Sequence, residues 1–196
     1  GVVNVVTGLG SAAGDALAGH PGVGKITLTG PTQTARAITR RSADAIKGLS
    51  FELGGKSANI VFADADLDAA AIGVTTMAVF TGAAGQSCVA GSRILVQDRI
   101  YDEMLARIAK IAHAIKIGDP MDKATGMGPI ALDRQFAKVR DYIEIGKSEG
   151  GALVFGGRSG SVLFDSGSPL AGGYFVEPTL FAGLDNSARI CREEIF

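Results

Sequence analysis

Histidine and cysteine are scarce in this chain. Its 196 residues hold two of each, His20 and His113, Cys88 and Cys191. No CxxC or HxxxH cluster occurs, so no metal site built from protein ligands is expected. An excess of charge of one sign is also missing: 19 basic and 20 acidic residues leave a net charge of −1, and no basic block stands out. The electrostatics therefore ask for neither nucleic acid nor a membrane surface. Two cysteines without other marks of a small secreted scaffold suit a reducing compartment better than a disulfide framework, and a cytoplasmic location is expected. No signal-peptide pattern, internal repeat or low-complexity linker is visible.

What is present is apolar and rich in glycine. Hydrophobic residues make up 46% of the chain, enough for a real core, and 28 glycines are spread through turns rather than set in a repeat. The 24 positions from Ala69 to Ser92 carry no charge. Their length raises the question of a membrane span, but Gly73, Thr75, Thr76, Thr81, Gly82, Gly85, Gln86 and Ser87 interrupt them. They read as a buried helix running into a loop. The chain starts inside an apolar strand-like run and stops at Phe196 without a tail, so it is expected to be a fragment.

Strand-like and helix-like patterns alternate. Strands are expected at Val2 to Val6, Lys25 to Thr29, Ile46 to Leu53, Ala58 to Phe62, Ser92 to Gln97 and Ala152 to Phe155, with Tyr174 to Phe181 extended. Helices are expected at Asp15 to Gly19, at about Pro31 to Ser42, after the acids of Asp64 to Asp68, from Asp98 to Gly118, and at about Arg134 to Ser148. The three acids are read as helix-start residues, because an EF-hand loop counted from Asp64 would need Gly and Glu where Ala69 and Thr75 stand. Such alternation argues for an α/β fold with parallel sheets, in which ligands gather at the carboxyl ends of strands. The turn at Gly8 to Gly14, the turn at Gly30-Pro31 and Glu52 all fall at such ends. The first has the spacing GxGxxxG, and by itself it is as well explained by a plain tight turn.

Two stretches carry chemistry. Gly82 to Arg93 sets Cys88 among small uncharged residues that leave room for a substrate. A free thiol has a pKa of about 8.5 and needs N–H groups or a cation to react as thiolate at neutral pH. Phe51-Glu52-Leu53-Gly54-Gly55-Lys56-Ser57 places a carboxylate 36 residues upstream. A thiol nucleophile and a general base suit a reaction in which an acyl group on sulfur is released to water. On the residues alone the bland readings stay open: Cys88 as a small buried hydrophobe, Glu52 as a charge satisfied at a strand end, Glu194 as a solvated acid. A Cys–His hydrolase is a further alternative, for which His113 on a helix face and His20 before a proline are poor partners.

These two stretches, with Leu28-Thr29-Gly30, Glu193-Glu194-Ile195-Phe196, Asn4-Val5-Val6-Thr7-Gly8 and Tyr174-Phe175-Val176-Glu177-Pro178-Thr179, resemble the signature segments of the NAD(P)-dependent aldehyde dehydrogenase superfamily in order and approximate spacing. The resemblance implies a three-layer, parallel-sheet α/β fold, truncated at both ends. Residues 1–53 would be the last part of a Rossmann-like cofactor domain, and residues 54–196 an incomplete catalytic domain. It implies Cys88 as nucleophile and Glu52 as base, with the Cys88 N–H in the oxyanion hole. Preorganised donors of that kind are worth about 3–4 kcal/mol each. The family's asparagine donor lies upstream, so residues 1–196 alone are expected to be inactive.

NAD or NADP is the implied cofactor. Gly30 and Pro31 would sit beside the pyrophosphate, Leu53 near the nicotinamide, Glu194 and Phe196 at the nicotinamide ribose and ring. Gly10 would neighbour the adenine, and Gln135 and Lys138 the ribose. Pro31 stands where the family commonly has serine, and Ala35 where it commonly has glycine. A small-molecule aldehyde is the implied substrate, and full-length relatives form homodimers or homotetramers. The alternatives are a CoA-acylating semialdehyde dehydrogenase, which typically lacks the base, and an inactive piece that only binds nucleotide.

Overall fold

In the computed structural model, residues 1–80 and 82–196 are described; Thr81, one of the polar residues in the uncharged run, lies outside them. The chain divides into two compact units, Gly1–Gly54 and Gly55–Phe196.

The first unit is a βαβ piece. Strand β1 (Lys25–Thr29) and strand β2 (Gly48–Glu52) pair in parallel, from Lys25 opposite Gly48 to Thr29 opposite Glu52. The crossover is helix α2 (Thr32–Ser42), preceded in the chain by α1 (Asp15–Gly19). Helix α2 begins one residue after Pro31, which occupies the N-cap position in extended conformation. Proline there removes an N–H that no helical carbonyl would have met. The inner face of α2 is small: Ala35 and Ser42 are buried, and the Ser42 hydroxyl donates to Ile38 O at 2.6 Å. The glycine-rich stretch Gly10–Gly14 is not a bare turn. It is wound as a π-helical segment that runs directly into α1.

Val2 to Val6 forms no strand, and Val2, Val3, Val5 and Val6 are exposed. The apolar run was the only signal for a strand there, and a strand also needs a neighbour to take its backbone N–H and C=O groups. None of the described strands pairs with it.

The second unit opens with β3 (Ala58–Val61), which pairs in parallel with β4 (Arg93–Val96). Between them runs α3 (Leu67–Ile72), continued as a π-helical turn over Gly73–Met77. Asp66 caps α3 by accepting from the N–H groups of Asp68 and Ala69 at 3.1 Å each, as the acid cluster foretold. Thr75 is fully buried, and its hydroxyl is satisfied by donation to Ala71 O at 2.6 Å. No helix among the described residues is long and apolar enough to cross a membrane.

Helix α4 (Tyr101–His113) packs Met104, Ile108 and Ala112 onto Val61, Ala71, Val74 and Phe80. The i, i+4 spacing puts these side chains on one face, as read from the sequence. The helix stops at His113 rather than Gly118. Past it the backbone turns to bond Met127: Gly118 N donates to Met127 O, and Met127 N to Lys116 O. Asp98 belongs to a short 3-10 turn ahead of α4 and makes no side-chain cap. Arg107 on α4 holds Asp68 at the start of α3 and Glu103 one turn back.

Helix α5 (Asp133–Ser148) buries Ile143, with Phe136 and Val139 beside it. It leads into β5 (Ala152–Phe155), which pairs antiparallel with β6 (Leu180–Ala182). The extended reading of 174–181 holds only in part, and this last pair departs from the all-parallel expectation. A short helix α6 (Arg189–Arg192) precedes the final segment.

Gly156 joins β5 to the following loop at φ +87°, and an added Cβ would meet Pro178 O and lie 2.6 Å from Thr179 Cα. Backbone cannot yield as a side-chain tip can, and the left-handed φ adds its own cost. Gly156→Ala is expected to destabilise the protein by about 3 kcal/mol or more, read as a lowered urea midpoint at unchanged m-value.

Candidate active site

In the first unit, the parallel register brings Gly30 and Glu52 to the same sheet end: Gly30 N donates to Glu52 O at 3.0 Å. Glu52 is thus the last residue of β2, exposed, next to the start of α2. Pro31 O accepts from the N–H groups of Thr34 and Ala35, which leaves those of Thr32 and Gln33 at the positive end of the helix. Gly10 is exposed, with open space around its Cα. Leu53 follows Glu52 and is half-buried.

In the second unit, Cys88 sits on the loop between the π-helical turn and β4. It is a free, exposed thiol, which removes the buried-hydrophobe reading. The loop is compact because Gly82 (φ +62°), Ala84 (φ +53°) and Gly85 (φ +80°) are left-handed. Two glycines and the smallest side-chain residue accept this geometry at least cost. Gln86 N bonds Ala83 O, Ser87 N bonds Gly85 O at 2.8 Å, and Ala90 N bonds Ser87 O. The Cys88 N–H bonds no acceptor among the described residues and is available to an oxygen placed beside the sulfur. At the loop's exit, the Asn59 amide donates to Gly91 O at 2.8 Å.

A cavity of about 690 Å³ borders this loop at Ala84, Gly85, Ser87 and Ala90. Its wall also carries Lys56, Arg93, Cys191, Glu194 and Phe196. The structure therefore brings neighbours of Cys88 in its loop and the segment of Glu194 to Phe196 to one space, while Cys88 itself is not part of that cavity's wall. Gln135 and Lys138 lie one turn apart at the start of α5, both half-buried. The Gln135 amide donates to Ile195 O at 2.8 Å and to Phe196 O at 2.6 Å, so its N–H groups hold that segment's backbone. Tyr142 donates to Glu193 at 2.6 Å, which turns Glu193 toward α5, while Glu194 faces the cavity. Glu193 is held below the usual carboxylate range by Arg189 and by that hydroxyl. No group of three or more His, Cys, Asp or Glu among the described residues is set to hold a metal ion.

Lys56 is a residue whose importance the sequence reading missed. It was visible only as part of a motif, and nothing in the spacing said that it would be half-buried in a cavity wall. Burial pushes its pKa down to about 8, partly offset by Cys191 and Glu194, while Arg93 and Lys138 push the same way as burial. The folded protein therefore holds this proton more weakly than the unfolded chain, whose ordinary value is 10.5. Between those two pH values unfolding takes up a proton, and the cost of the buried charge fades as pH rises. Lys56→Met is expected to stabilise the protein at pH 7 by on the order of 1–3 kcal/mol, with the gain vanishing above pH 10.5. Urea titrations across that range check it; a less stable Met variant at pH 7 would mean that the ion pairing outweighs the burial.

The whole chain, residues 1–196, matches the model described as "Aldehyde dehydrogenase family". A hydroxyisobutyraldehyde dehydrogenase from Mycolicibacterium austroafricanum is 47% identical over 197 residues, covering 100% of this chain and 37% of that protein. The peroxisomal aminoaldehyde dehydrogenase 1 of Pisum sativum is 42% identical over 196 residues, with the same coverages. Among solved structures, PnpE in complex with nicotinamide adenine dinucleotide superposes with a TM-score of 0.92 at 43% identity, over 100% of this chain and 38% of that one. A mutant of aldehyde dehydrogenase C from Pseudomonas syringae, complexed with NAD+ and octanal, gives 0.89 at 37% identity, over 97% and 38%. The chain spans somewhat over a third of the length of these relatives.

Proposed function

The chain belongs to the aldehyde dehydrogenase family, and on that premise we propose that the protein carrying it oxidises an aldehyde to a carboxylic acid with NAD+ or NADP+. The observation that carries the proposal is Cys88: an exposed thiol on a compact loop, with its own N–H unspent.

The Cys88 thiolate adds to the aldehyde carbonyl carbon, and the Cys88 N–H meets the resulting oxyanion of the thiohemiacetal. Loss of hydride from that carbon as the C=O re-forms leaves a thioester on sulfur. NAD+ or NADP+, when bound, supplies the acceptor for that hydride. Glu52 takes a proton from water, which attacks the thioester carbon and releases the acid and the thiol. The free N–H groups at the start of α2, beside Gly30 and Pro31, suit a pyrophosphate, and Gly10 leaves open space for an adenine. Leu53, Glu194, Phe196 and Lys138 border the nicotinamide and its ribose in this proposal. Gln135 supports that edge through the backbone of Ile195 and Phe196.

The test is the full-length protein with NAD+ and with NADP+ against a panel holding hydroxyisobutyraldehyde, an aminoaldehyde and octanal, with and without CoA. Reduced dinucleotide and free acid without CoA are expected. Product only as acyl-CoA would favour the CoA-acylating reading, to which the presence of Glu52 is unfavourable. Heat on titration with a dinucleotide but no turnover would favour the reading in which the protein only binds nucleotide, and the absence of both heat and turnover would overturn the proposal. A homodimer or homotetramer is proposed for the full-length protein and is read by light scattering.

A further inference from the structure

We infer that Gln86 is a positioning residue for Cys88, fastening the nucleophile's loop to the span 127–135; this rests on the function proposed above. The side chain bonds in two directions. Gln86 Nε2 donates to Ala83 O at 2.8 Å, closing the loop on itself, and Gln86 Oε1 accepts from Ala131 N at 3.1 Å, 45 residues along the chain. A second tie lies at the loop's entry, where Gly82 bridges Met127.

Met127 and Ile130 are buried and anchor the span in the core, while Ala131 itself is exposed. Ile130 N is further bound to Tyr174 O at 2.9 Å. The same span continues into α5, whose first turn carries Gln135. Gln135 in turn holds the backbone of Ile195 and Phe196. Two glutamine amides thus fasten two separate segments, the loop of Cys88 and the segment of Glu194 and Phe196, to one short support. The left-handed residues at 82, 84 and 85 make the loop compact; among the described residues, Gln86 and the bridge at Gly82 tie it to the support by hydrogen bonds, and Ala84 packs against the core cluster that holds Met127. A displacement of about 1 Å at a reacting atom can cost roughly 10²-fold in rate, so a loop free to shift loses acylation before it loses cofactor binding.

The experiment uses the full-length protein and two substitutions. Gln86→Met keeps the shape and removes both bonds. Gln86→Glu keeps an acceptor for Ala131 N–H and loses the donor to Ala83 O. Hydrogen exchange at the Ala131 amide is expected to speed up roughly tenfold or more in Gln86→Met and to stay near wild type in Gln86→Glu. The first-turnover burst of reduced dinucleotide should fall roughly tenfold or more in Gln86→Met, with an intermediate loss in Gln86→Glu, and KM for the dinucleotide should stay within about twofold. Unchanged Ala131 exchange and an unchanged burst in Gln86→Met would overturn the inference, as would a KM rise that matches the burst loss. If Gln86→Met does not fold, Gln86→Glu decides: a full wild-type burst overturns the role of the Ala83 bond. A wild-type protein without any burst would sink the proposed function instead, and the exchange measurement would still test the clamp.

Discussion

Cys88→Ser in the full-length protein is expected to lower kcat for the proposed aldehyde oxidation by roughly 10⁴-fold or more, the scale on which covalent nucleophiles matter in acyl-transfer machinery. The hydroxyl is close in size to the thiol but ionises far less readily, so it would need a strong base to act as nucleophile. The histidines are poor substitutes: His113 is exposed and packs its ring against Phe155, and His20 accepts from Gly22 N. Dinucleotide affinity should change by less than about twofold, because Cys88 lies on the loop and not on the segments of Gly30, Glu194 or Phe196 proposed to hold the dinucleotide. The check is steady-state kinetics with calorimetric titration of the dinucleotide. Retained turnover in Cys88→Ser would assign the chemistry elsewhere, and Cys191, half-buried in the cavity wall, would be next to test.

Glu52→Gln should divide the reaction in two. An amide cannot take a proton from water, so release of the acyl group slows by roughly 10²–10⁴-fold, the usual weight of a positioned general base. Acylation does not need that base, so the first equivalent of reduced dinucleotide still forms at nearly the wild-type rate. The result is a full burst followed by stalled turnover. A small nucleophile such as hydroxylamine, added afterwards, should restore turnover by taking the acyl group directly. Loss of the burst itself would show that Glu52 serves acylation or cofactor binding rather than hydrolysis.

Strands with strong local signals were legible to the residue. Lys25 to Thr29 and Ala152 to Phe155 match β1 and β5, because β-branched or alternating residues there coincide with a partner strand. Val2 to Val6 carries an equally apolar pattern and stays unpaired, since a sequence window contains no information about its neighbour. The end of α4 was misplaced for a related reason. Ile115 continues the apolar stripe and does pack against the core, but from an extended segment bonded to Met127. Cys88 and Glu52 stand out through the resemblance of their flanking segments to the family's signature segments, since on the residues alone the bland readings stay open. Gln86, Lys56 and Asn59 do not, because their roles depend on Ala131, on the cavity and on Gly91, which lie 32 to 45 residues away or surround them in space.

In the proposed reaction the sulfur of residue 88 carries the acyl group that the carboxylate of residue 52 helps to release. Intact-mass and peptide mass spectrometry of full-length Glu52→Gln, mixed with aldehyde and oxidised dinucleotide, measures this directly. One acyl group per chain is expected, mapped to Cys88, absent when the dinucleotide is omitted and removed by hydroxylamine. An unmodified Cys88 in a protein that has produced its equivalent of reduced dinucleotide would contradict it.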